Sequence, residues 1–169
     1  MSVRDLTKRW PRERLAERVS AASYGTVLVL SALPLIDAAA VSSGLGWELV
    51  TGVGVATWLA HLYAEVVGDH LRHSAAHRRK EIARAMADGL PILLAAVSPA
   101  LILLLGRLEV LDARSALWAA VVVAIVQLVV VGALVGAVVS PRSATVWAHA
   151  LITAGIGIAV VTLKLGLGH

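Results

Sequence analysis

Trp58, His61, Glu65, Asp69 and Arg72 recur at spacings of three or four residues, which places them on one face if this stretch is helical. Within that stripe an imidazole and a carboxylate stand one turn apart. Both groups exchange protons and both bind cations, so His61 and Glu65, with Asp69 a further turn along, are the leading candidates for a proton relay or a cation site. The surrounding chain is apolar, and a carboxylate at full membrane depth costs about 2.5–3.5 kcal/mol on insertion scales. Glu65 is therefore expected to face a protein interior, be protonated, pair with His61, or extend to the headgroups from a position near the membrane edge. The last outcome requires no function.

The polar stretch that follows holds a second candidate. His70, His73, His77 and Glu81 share a face if the helix continues, and His73 and His77 at i and i+4 have a spacing common among metal ligands. Arg72, Arg78, Arg79 and Lys80 surround them, and that positive charge opposes a metal cation. A solvated basic helix at the membrane surface accounts for the same residues. Farther on, Gly132 and Gly136 form a small-xxx-small pattern that permits close helix approach, within one subunit or between two. Asp37, and His149 beside Trp147, are expected at the membrane interfaces, where polar and amphipathic side chains settle for solvation alone.

Elements of membrane-spanning length have to position these groups. Of 169 residues, 59% are hydrophobic and 15% charged, with a mean hydropathy of +0.83, whereas soluble domains carry about 25% charged residues. Apolar runs at about 20–41, 47–68, 89–106, 115–139 and 144–163 separate the charged stretches, and each suits a hydrocarbon core about 30 Å thick. The expected fold is all-α, an integral membrane bundle of five transmembrane helices, with residues 20–169 as one transmembrane domain and 69–88 as a cytoplasmic connector. Pro91 opens the third run, and Ser98-Pro99 predicts a kink within it. Residues 1–19 carry Arg4, Lys8, Arg9, Arg12, Arg14 and Arg18, with Leu6, Trp10, Leu15 and Val19 about a turn apart, the pattern of a basic amphipathic helix on the membrane surface. That charged region is long for a cleavable leader, so the first span is expected to remain as an anchor.

Charge asymmetry orients the bundle. Twelve of the fifteen Lys and Arg residues fall in the N-terminal segment, the 69–88 connector and the fourth turn, and three (Arg107, Arg114, Lys164) on the alternate side. The N-terminus is therefore expected in the cytoplasm and, with five spans, the C-terminus outside. The second span is the least apolar, yet without it the basic connector would fall on the wrong side. A pI near 10.1 follows from this topology and from affinity for anionic headgroups, with no call on nucleic acid. The absence of cysteine excludes disulfides, thiolate metal sites and cysteine nucleophiles. No nucleophile with a base, metal cage or phosphate loop is visible, so neither an enzyme nor a tightly bound cofactor is expected. Three lysines against twelve arginines, with abundant alanine and valine, suggest a GC-rich bacterial genome and hence the plasma membrane.

Several motifs carry a family resemblance. Leu128-Val-Val-Val-Gly132-Ala133, the Ser140-Pro-Arg-Ser143 turn, and Leu151-Ile152 followed by Gly155-Ile-Gly157 resemble the last two helices of the vacuolar iron transporter and nodulin-21-like family. Ala60-His61-Leu62-Tyr63-Ala64-Glu65-Val66 resembles the family's Ser-Met-Ala-x-Gly-Glu-Tyr pattern, and Glu17 with Tyr24-Gly25 resembles its Arg-Glu followed by Asp-Gly. Glu65 and Gly25 match. His61 stands in place of the methionine and Tyr24 in place of the intramembrane aspartate, and the family's glutamate-rich cytoplasmic domain has no counterpart.

The resemblance implies a dimeric, proton-coupled divalent cation transporter, with His61, Glu65 and Asp69 in the path and Fe2+, Mn2+ or Zn2+ as cargo. A non-transporting membrane scaffold or assembly partner, packing the same polar stripe against another subunit, is the reading from a different class.

Overall fold

The computed structural model describes residues 12–70, 78–139 and 143–167. These residues are helical apart from short turns, with no strand among them. The helices are α1 (Arg12–Ala32), α2 (Ala38–Ser43), α3 (Leu45–His70), α4 (Arg78–Arg107), α5 (Ala113–Val139) and α6 (Ser143–Leu167). All but the six-residue α2 are long and apolar enough to cross a membrane, over Arg14–Leu35, Leu45–Gly68, Ile82–Arg107, Ala113–Val138 and Ser143–Lys164.

Three element boundaries differ from the sequence expectation. The first apolar run, expected as one span to Val41, is a span ending at Leu35 followed by a separate helix. Pro34 has no N–H to bond the helix carbonyl four residues back, so α1 tightens into a 3-10 turn over Leu33–Leu35 and Ile36 turns extended. The Asp37 carboxylate then caps α2, accepting from the Ala40 N–H at 2.7 Å. Asp37 thus has a local structural task at the end of the bundle. Gly44 ends α2 at φ 94°, a left-handed conformation that glycine adopts without strain. Arg107, from the end of α4, lies over that glycine and donates from Nη1 to the Ser43 carbonyl, placing positive charge at a helix C-terminus.

The second difference is at the start. The segment expected as a separate surface helix over 1–19 is, from Arg12 on, continuous with the first span, and residues 1–11 lie outside the described residues.

The third concerns the connector. Helix α3 continues to His70 and α4 begins at Arg78, so most of the expected 69–88 connector is helix. Residues 71–77, with His73 and His77, lie outside the described residues. Pro91, expected at a helix start, is well inside α4, as is Pro99, and the helix continues through both. Each proline leaves one carbonyl without its usual donor, a loss that membrane helices make good through neighbouring groups. Next to the carbonyl freed by Pro91, that of Met86 accepts from Trp58 Nε1 at 3.4 Å.

Glycines record how closely the helices approach. Gly54 in α3 faces Ala96 and Gly89 in α4 faces Trp58 and His61, so α3 and α4 run antiparallel. Gly25 in α1 meets the backbone of Ile92 in α4. Helix α1 touches each of the four other long helices and, with Leu33 of the 3-10 turn after it, supplies Val29 and Leu30 to a core completed by Val50, Leu103, Ala120, Ala124 and Leu128. Outward faces stay apolar: Val122, Val126 and Val130 recur every fourth residue along α5, each about half exposed. Within a bilayer such faces would need no cover, since lipid tails are as apolar as they are.

Candidate functional site

A cleft of about 820 Å³ opens where α1 begins, α3 ends and α4 begins. From α3 it receives Ala60, His61, Ala64 and Glu65; from α1, Ala16, Glu17, Ser20, Ala21 and Tyr24; from α4, Ile82, Arg84, Ala85 and Asp88. The geometry follows from the helix directions. Parallel α1 and α4 touch at Gly25 and Ile92, whereas α3 approaches α4 at Gly89 through Trp58 and His61. Beyond those contacts the cleft opens between the three helices, and alanines line much of it.

The polar stripe of α3 divides between two tasks. Trp58 rests on Gly89 and donates to the Met86 carbonyl, making it part of the α3–α4 contact. His61 does both: its ring lies against Gly89, 3.1 Å from where a Cβ there would be, and it lines the cleft half-buried. Glu65, one turn on, is exposed. Gly68, at the end of the candidate span, is three positions further on, roughly 5 Å along the axis. Its carboxylate therefore sits at the exposed edge of the cleft, near the end of the apolar stretch and away from its middle. His61 and Glu65 are not hydrogen-bonded to each other, although they share the cleft wall. Asp69 belongs to the last turn of α3, and its side chain lies outside the described part of the structure.

Arg84 and Asp88 are the site residues that sequence reasoning missed, having assigned them to a polar connector. The signal was present in Ile82, Ala85, Gly89 and Ile92. These recur at helical spacing, are half-buried or buried, and continue the packed face of the third span toward its N-terminus. Arg84 and Asp88, four apart, then share the adjoining face toward the cleft. Glu17, singled out only through the family resemblance, also lies there, and so does Tyr24.

Among the described residues the cleft gathers Glu17, Glu65 and Asp88 with Arg84 and the His61 imidazole. Among its described lining groups the balance is acidic, while the flanking sequence at this end of the bundle is strongly basic. No three His, Asp or Glu side chains among the described residues converge to hold a metal ion. The carboxylates are spread around the cleft walls and do not form a cage.

The other candidates have structural partners. Gly132 and Gly136 are buried against α6 of the same chain: a Cβ at Gly132 would strike Thr153 and come within 2.7 Å of the His149 carbonyl, and one at Gly136 would come within 2.6 Å of Val146 Cα. His149 donates from Nδ1 to the Thr145 carbonyl of its own helix at 2.9 Å, while Trp147 is exposed.

Comparison with protein-family models, with curated proteins and with solved structures returned no match to this chain.

Proposed function

We propose that this chain is a proton-coupled cation transporter in a bacterial plasma membrane and a divergent relative of the vacuolar iron transporter and nodulin-21-like family. In this reading the chain works as a symmetric dimer, and the cleft is its cytoplasmic vestibule. The observation that carries the reading is the meeting of Glu65 and His61 with Glu17 and Asp88, from three separate helices, in one acidic cleft at an otherwise basic end of the bundle. An ionised carboxylate and a neutral imidazole attract a cation, and protonation of either releases it, which is the exchange chemistry that antiport needs. The facing groups that tune this exchange are Glu17, Tyr24, Arg84 and Asp88. Fe2+, Mn2+ and Zn2+ are the cargoes that the family resemblance implies, and imidazole in place of methionine favours harder ions without excluding Fe2+.

Uptake of these ions into proteoliposomes under an imposed pH gradient tests the proposal. Glu65→Gln and His61→Ala should each lower flux at least tenfold while the protein stays folded.

A scaffold or assembly partner is the second reading, favoured by the shallow burial of α3, only 17% of whose most apolar stretch is covered within the chain. It predicts no flux from folded wild type, and a silent or stabilising Glu65→Gln, since that change removes a charge and keeps a hydrogen-bonding side chain.

A further inference from the structure

We infer that the cleft between α1, α3 and α4 is a site for an organic cation with an apolar body, such as a quaternary ammonium or an aromatic monocation. The inference rests on the proton-coupled transport reading above and replaces the inorganic cargo implied by the resemblance with an organic one at the same site.

Volume is the first argument. At about 820 Å³ the cleft lies within the range of about 300–1,000 Å³ in which proteins bury molecules of drug size. A dehydrated divalent ion occupies a small fraction of that space.

The lining is the second. Ala16, Ala21, Ala60, Ala64 and Ala85 give small apolar walls on all three helices. Tyr24, 54% exposed, offers a ring face of the kind that attracts cations bearing little hydration. Carboxylates distributed over different walls suit a charge that is delocalised or shielded by alkyl groups, because such a charge is satisfied by a negative field without direct coordination. Glu17, Glu65 and Asp88 supply that field, and Arg84 offsets part of it.

The test uses full-length protein in proteoliposomes with an acidic interior, measuring uptake of ethidium and, in parallel, of Mn2+. Ethidium should accumulate above the level of protein-free liposomes. Glu65→Gln, and Ala64→Leu, which fills the cleft from an exposed position, should each reduce the initial rate at least tenfold. Glu17→Gln, at an exposed position of α1, should reduce it severalfold and carries the test if Ala64→Leu fails to fold. Ethidium uptake that matches protein-free liposomes overturns the inference, as does uptake that all three variants leave unchanged. If Mn2+ still enters in the first case, the inference falls and the transport reading stands. If neither probe enters, both fall.

Discussion

Gly25 in α1 lies so close to Ile92 in α4 that a Cβ built on the glycine would come within 2.9 Å of the Ile92 Cα. The contact is backbone to backbone, so no side-chain rotation can relieve an added methyl. It sets the separation of two of the three helices that form the cleft and lies just beyond Tyr24 on the cleft wall. Gly25→Ala should therefore destabilise the protein by about 1–3 kcal/mol, the usual cost of overpacking, and alter flux by spreading α1 from α4. Thermal unfolding in detergent together with an uptake assay measures both effects. An unchanged melting temperature would show that α1 and α4 do not meet there.

Gly132 and Gly136 are used within the chain, where α5 and α6 pack at close range. Gly132→Leu and Gly136→Leu should lower thermal stability in detergent, and the protein that remains folded should keep the wild-type assembly state on size-exclusion chromatography with light scattering. A change of assembly state with stability intact would move the pair to a subunit interface.

Gln127 Nε2 donates to Ser98 Oγ at 2.7 Å, bridging α5 to α4, while its buried Oε1 has no hydrogen-bond partner among the described residues. Interhelical hydrogen bonds in membranes contribute about 0.6 kcal/mol on average, and a buried orphan acceptor costs a comparable amount or more. Gln127→Leu should consequently change stability by less than about 1 kcal/mol, because the Ser98 hydroxyl can turn to a carbonyl of its own helix. A loss of several kcal/mol in reversible detergent unfolding would mean that the whole amide is partnered.

The positive-inside asymmetry predicts opposite addresses for the two ends of the bundle. Reporter fusions after Ala75, between α3 and α4, should be cytoplasmic, and fusions at His169 external. The same address for both would remove the five-span topology with its cytoplasmic N-terminus.

The number of long apolar helices and their approximate limits were legible in the sequence alone, because a bilayer core about 30 Å thick sets the length by which such runs are recognised. The Trp47–Gly68 run agrees closely with the Leu45–Gly68 span, even though it contains His61 and Glu65. Pro34 and Asp37 lie inside the first apolar run, yet their meaning as a helix end followed by a capped short helix depended on backbone hydrogen bonds. Which faces meet was decided only by tertiary structure. In water an apolar stripe marks the packed side of a helix, but in lipid the outer face is equally apolar. Leu30, which is fully buried, and Val126, which faces outward, therefore carry indistinguishable signals. The cleft is the clearest case. His61 and Glu65 announced themselves as a polar pair in an apolar run, while Arg84 and Asp88 were hidden among other charges beside it. Their common wall arises because Gly25 and Gly89 let α1 and α3 close on α4 at one level and leave space below it.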